Sequence, residues 1–187
     1  KNCHGNHDAG LPRAIYVGNI CGQCHALTYD LFSKSPHKSA HDKLGIPECE
    51  ACHGNHKIMK PSDDMLGAGV GAVCVKCHNP SSKGFKTALA IKNSIEDFKI
   101  EIAEAKELTS KAEQLGMEVS DAQFDINEAN NSLTKARAYI HSFSEENVAS
   151  VVGEGKSSAQ KALALAKKAI DSFNFRKKWY SLVILLI

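Results

Sequence analysis

From Ile91 onward apolar side chains return every three or four residues, at Ile91, Ile95, Phe98, Ile102, Ala105, Leu108, Ala112 and Leu115. That rhythm is one face of a helix, close to a heptad, and predicts a helix over 84–115. Gly116 stands where a C-cap is wanted. A second seam, Ala122, Ile126, Ala129, Leu133, Ala136, Ile140 and Phe143, follows Ser120, with Gln123 placed for a capping box. A third, Val148, Val152, Gly155, Ala159, Ala162, Ala166, Ala169 and Phe173, begins near Ser144. There Glu145 and Glu146 suit the positive end of a helix dipole. Three seams on short connections predict an antiparallel three-helix bundle over 84–175. At ~1.5 Å per residue its first helix would be about 48 Å long. The small residues of the third seam imply close approach.

Residues 1–83 show no such rhythm and few long apolar runs, too few to build a core from side chains alone. Composition changes at the same place. All seven cysteines and eight of the nine histidines precede residue 79, and the chain then becomes rich in Ala, Glu, Lys and Leu. The turn-forming "NPSSKG" at 79–84 marks the boundary. A net charge of +2 supplies no strong field toward an acidic partner, so nucleic acid is not expected.

Three Cys-x-x-Cys-His runs lie in the first half: "CGQCH" at 21–25, "CEACH" at 49–53 and "CVKCH" at 74–78. This is the attachment pattern of c-type haem. Two thiols three positions apart reach the vinyl groups of one porphyrin, and the next histidine, His25, His53 or His78, falls where it can bind the iron. The attaching pairs are Cys21 and Cys24, Cys49 and Cys52, Cys74 and Cys77. Zinc bound by paired Cys-x-x-Cys and a disulfide framework are the competing readings. Neither gives a reason for the repeated histidine.

Cys3 followed by His4 reads as the tail of a fourth motif, whose first cysteine would precede Lys1. "CHGNH" at 3–7 returns at 52–56, each followed after a spacer by a complete motif, so the repeating unit is a haem pair. The expected cofactor is therefore haem c, three or four in this chain, with more upstream. With His4, His25, His53 and His78 as proximal ligands, His7, His37, His41, His56 and His141 remain as candidate distal ligands. His7 and His56 lie three residues past a proximal histidine, too close to fold back onto the same iron. His37, twelve residues past His25, has the length to return to that haem, and His141 is expected to reach the last one. His37, His41 and His141 each have a plainer reading as solvated polar residues.

The closing "RKKWYSLVILLI", 176–187, sets a basic cluster and two aromatics before an apolar run. That order matches an interfacial girdle leading into a membrane span, although a span needs about 20 apolar residues. The expectation is the start of a membrane anchor.

The repeated motifs with spare histidines resemble the multihaem cytochromes c. "LGIPECEACHGNHKIMKPSDDMLG" is similar to the class III-like, tetrahaem-type modules of that superfamily. A haem-rich half followed by long helices more loosely resembles the pentahaem nitrite reductases and octahaem hydroxylamine oxidoreductases. The resemblance implies attachment of haem outside the cytoplasm, in a periplasmic or cell-surface compartment. No visible motif carries the lysine that replaces the proximal histidine in the nitrite reductases.

The fold class expected from all this is all-α with much irregular structure: a haem-packed domain over 1–83, the bundle over 84–175 and the start of a transmembrane helix over 176–187. The expected function is electron transfer through closely packed, mostly bis-histidine haems in a membrane-anchored extracytoplasmic cytochrome, with no catalytic residue of its own. Its partners would be redox proteins or other haem subunits, in an oligomer or membrane complex. Two rival functions stand beside it. One is the electron-exit half of an octahaem-type oxidoreductase acting on small nitrogen or sulfur compounds; the other is a haem subunit of a respiratory complex or filament.

Overall fold

A computed structural model of the chain describes residues 17–58 and 60–184, of which 180–184 are described in backbone only. The protein is 76% helical, with seven α-helices and no strand among the described residues. They are α1 (Val17–Gly22), α2 (Ala26–Ser33), α3 (Pro36–Leu44), α4 (Glu50–His53), α5 (Lys83–Gln114), α6 (Ser120–Tyr139) and α7 (Glu145–Ile184).

The expected fold class is corrected by this. Among its described residues the cysteine-rich half is not largely irregular, because four short helices, α1 to α4, carry much of it. α3 shows how: Pro36 stands at its first turn, the Ser35 hydroxyl accepts from the Lys38 N–H, and Gly45 at φ 64° ends it. The transmembrane start is corrected too. Among the described residues no helix is long and apolar enough to cross a membrane. Lys167, Lys168, Asp171, Arg176, Lys177 and Lys178 interrupt the approach to the apolar run on α7.

The chain divides into two compact units, one of residues up to Asn93 with Ala136–Ala149, the other of Ser94–Lys135 with Ser150 onward. In the second unit α5, α6 and α7 pack together, with Ala105, Ala122, Ile126 and Ala162 forming a core cluster against which Leu163 rests. Polar pairs give the directions. Glu113 meets Gln123 and Lys106 meets Asn130, so α6 runs back along α5. Lys156 meets Glu101 and Arg176 meets Met117, so α7 runs parallel to α5. Phe98 is fully buried, and a Cβ on Gly155 would collide with its ring and come within 2.7 Å of Ser132 Cβ. The glycine lets α7 approach closely.

The turn between α5 and α6 is a Schellman ending. Gly116 sits at φ 73°, its N–H bonds to the Glu113 carbonyl, and the Met117 N–H bonds to that of Ala112. The expected capping box does not form. The Gln123 amide goes to Glu113, and the Glu118 carboxylate takes the Ser120 N–H at 2.8 Å. α7 opens on Ser144, whose hydroxyl accepts from the Asn147 N–H.

The first unit is held by polar ties. Tyr29 on α2 donates to Asn19 on α1, and buried Glu48 pairs with Lys38 at 3.3 Å. Arg137 on α6 grips Asp63 with two hydrogen bonds, of 2.9 and 2.7 Å, the carboxylate side chain being only 9% exposed. This fork joins the short 3-10 turn Asp63–Met65 to the end of α6, just before the 3-10 turn Ile140–Ser142 that carries His141.

Candidate functional site

The three Cys-x-x-Cys-His runs fold into one and the same turn. In each, the carbonyl of the first cysteine accepts from the N–H of the second cysteine and from that of the histidine. The distances are 3.2 and 2.9 Å from Cys21, 3.3 and 3.0 Å from Cys49, 3.2 and 2.9 Å from Cys74. One helical turn thus sets two thiols and an imidazole in a fixed relation, three times over. The surrounding sequences differ, so the turn belongs to the motif.

None of the six described cysteines is paired in a disulfide. The Cys49 thiol is in hydrogen-bonding contact with that of Cys21, and burial, followed by this neighbour, pushes it up to about 12. Burial also raises Cys52, followed by the nearby Cys74. These groups stand as thiols at neutral pH. The second motif therefore adjoins the first through one cysteine and the third through the other.

The imidazoles gather in two groups. In the first, the rings of His53 and His141 lie 6.0 Å apart, 20° from parallel. Burial lowers the pKa of both, and His25 is close enough to lower each further. In the second, His37 lies 5.8 Å from His78 and 6.0 Å from His41. His37 and His41 share a face because they are one helical turn apart on α3. Burial first, then His41 and His78, depress His37 to about 4, so it is neutral at physiological pH.

Hydrogen bonds fix two of the tautomers. His41 Nδ1 donates to the Pro47 carbonyl at 2.9 Å, and His141 Nδ1 donates to that of Ala138 at 3.0 Å. A carbonyl can only accept, so Nδ1 of each ring carries a proton, and in the neutral imidazole the lone pair is then on Nε2. A backbone partner of this kind is how metal-binding histidines are oriented. His37 differs: its Nδ1 is buried and finds no hydrogen-bond partner among the described residues.

Two residues not expected at the site frame the second group. Phe143 has φ 50°, the one non-glycine at positive φ among the described residues. A left-handed conformation costs an L-residue roughly 1–2 kcal/mol. It brings the Phe143 ring to 3.7 Å from that of His37. Gly84, at the start of α5, faces His78 so closely that a Cβ would lie 2.5 Å from His78 Cε1. Phe143 read as the end of a helix seam and Gly84 as part of a turn; only the folded chain brings them to the histidines.

Of the other expected site residues, Cys3, His4 and His7 lie outside the described residues. His56 is exposed on the turn after α4, while Cys24, Cys77 and His25 are also exposed. Among the described residues no three of His, Cys, Asp and Glu converge closely enough to hold a metal ion directly. A structural zinc needs such convergence. A haem needs less: two thiols at its edge and one or two axial nitrogens. Thiol pairs on a common turn, imidazoles in twos and a buried ring nitrogen without a partner are a donor set that fits haem. Compared with known proteins, the chain matches no family model, no curated protein and no solved structure.

Proposed function

We propose that the chain carries covalently attached haem c and conducts electrons outside the cytoplasm, exchanging them with redox partner proteins or further haem subunits. One observation supports this most: the three motifs adopt the same turn, and two of their histidines have a second imidazole beside them, His78 with His37 and His53 with His141. Cys21 with Cys24, Cys49 with Cys52 and Cys74 with Cys77 would hold the groups, and His25, His53 and His78 would be the proximal ligands. Bound there, haem c supplies a one-electron iron couple. The chain's own part is to orient and desolvate. Pro47 and Ala138 carbonyls hold the ring tautomers of His41 and His141, and burial keeps His37, His53 and His141 neutral, the form in which imidazole is a ligand. Contact between Cys21 and Cys49, and the nearness of Cys52 to Cys74 and Cys77, argue for closely spaced groups, which suits a conductor.

The test is expression in a host able to mature c-type cytochromes, with haem counted per chain as its pyridine haemochrome and spin state read by low-temperature EPR. At least three covalent haems, all low-spin, and stepwise reversible reduction are expected. No covalent haem would return the cysteines to another role. A high-spin signal that shifts with nitrite or hydroxylamine would make the chain part of an oxidoreductase.

A further inference from the structure

The positions of the imidazoles bear on a question that spacing left open, namely which distant histidine serves which motif. His37 has the chain length to return to the motif at 21–25, yet its ring lies beside His78 of the motif at 74–78. His141, the histidine furthest along the chain, lies beside His53 of the middle motif. We infer that the ligand pairs are crossed: His37 with His78 on one iron, and His141 with His53 on another. This rests on the haem reading above.

Distance supports the pairing. Two imidazoles bound to opposite sides of one metal, through nitrogen bonds of ~2.0 Å, have ring centres about 6 Å apart. The observed separations are 5.8 and 6.0 Å. The surroundings support it independently. Phe143 accepts a left-handed backbone to lie against His37, and Gly84 leaves out the side chain that would displace His78. Both members of that pair thus have a close neighbour, Phe143 at His37 and Gly84 at His78. His141 is held by its Nδ1 bond to Ala138, and the Arg137–Asp63 fork fixes the end of α6, just before the turn that bears it. His41, equally well oriented by Pro47, lies 6.0 Å from His37 on the same helix face. Two residues of one helical turn leave no opposite sides for a porphyrin between them, so His41 is assigned to neither pair.

The test counts altered irons in the full chain carrying its haems, by integrating low-spin and high-spin EPR signals. Removal of one ligand changes one iron, and removal of two ligands changes one iron or two according to whether they share it. His37→Ala with His78→Ala is expected to alter one haem, and His37→Ala with His53→Ala two. His53→Ala with His141→Ala is expected to alter one, and His78→Ala with His141→Ala two. The opposite counts would overturn the pairing. Should a double variant not mature, His37→Ala in a Cys74→Ala, Cys77→Ala chain decides instead: the pairing requires no high-spin signal there, and one high-spin haem refutes it. Haem content is measured separately, so a chain with no covalent haem refutes the cofactor, whereas full content with uncrossed counts refutes the pairing alone.

Discussion

The two units of this chain are built on opposite logics. The unit of Ser94–Lys135 and Ser150 onward is a periodic solid, in which every third or fourth side chain on three helices enters the core. Residues 17–83 of the unit that holds the motifs bury few large apolar groups, Phe32 and Leu66 among them, and give buried positions to Ser35, His41 and Glu48. One is stabilised by apolar area, the other by polar ties and, on the reading above, by what it attaches. A single chain can therefore carry a part whose stability is its own and a part whose stability depends on a ligand.

The sharpest way to break that contrast is to withhold haem. In a host without cytochrome maturation, amides of residues 17–58 and 60–83 should exchange at least tenfold faster than in the haem-bearing chain, while those of α5 after Ser94 and of α7 after Ser150 stay protected. Hydrogen exchange measures both, and equal protection with and without haem would remove the distinction. Next comes the periodic core. Phe98→Ala empties a fully buried position and should cost about 3–5 kcal/mol in urea unfolding. A cost below about 1 kcal/mol would mean that Phe98 does not anchor this unit.

The polar ties predict smaller losses. Arg137→Met removes the forked pair from a carboxylate that is only 9% exposed on its side chain, and should cost roughly 1–3 kcal/mol. Changing Asp63 to Asn as well should recover part of it, and no recovery would show that Arg137 acts through packing.

Acid offers a milder probe of the haem-free protein. His37 is held near 4 against an ordinary 6.5, so over that interval the unfolded chain binds a proton that the folded chain refuses. Its contribution is complete above pH 6.5 and declines as pH falls toward 4. For a half-exposed ring the loss should be about 1 kcal/mol after solvent screening. His37→Gln should flatten that part of the pH–stability curve. At the bottom of the scale, Lys34→Ala breaks an exposed pair with Asp30 and should change stability by less than about 0.5 kcal/mol.

How much could be read from the sequence follows the same division. The seams of α5, α6 and α7 were legible because a helix writes its buried face as a period, and Ile95, Ala129 and Val148 are indeed fully buried. The motifs were legible because each is a local pattern within five residues, and its turn is local too. The relation between motifs was not, since whether His37 meets His25 or His78 depends on how loops with no period close. Phe143 looked like the last residue of a seam, and only its backbone angle reveals that it turns toward His37. The membrane expectation misread α7 because a basic and aromatic cluster is judged from sequence order alone, while the charges on the helix continue through its approach.

The repeated turn has a consequence for the order in which the molecule takes shape. Each copy closes with bonds spanning three and four residues, from Cys21, Cys49 or Cys74 to the residues that follow. Loops that short close in well under a microsecond, long before contacts as remote as Asp63 with Arg137 can be found by diffusion of the chain. The two thiols and the imidazole of each motif are thus presented together on a chain whose distant histidines have not yet arrived.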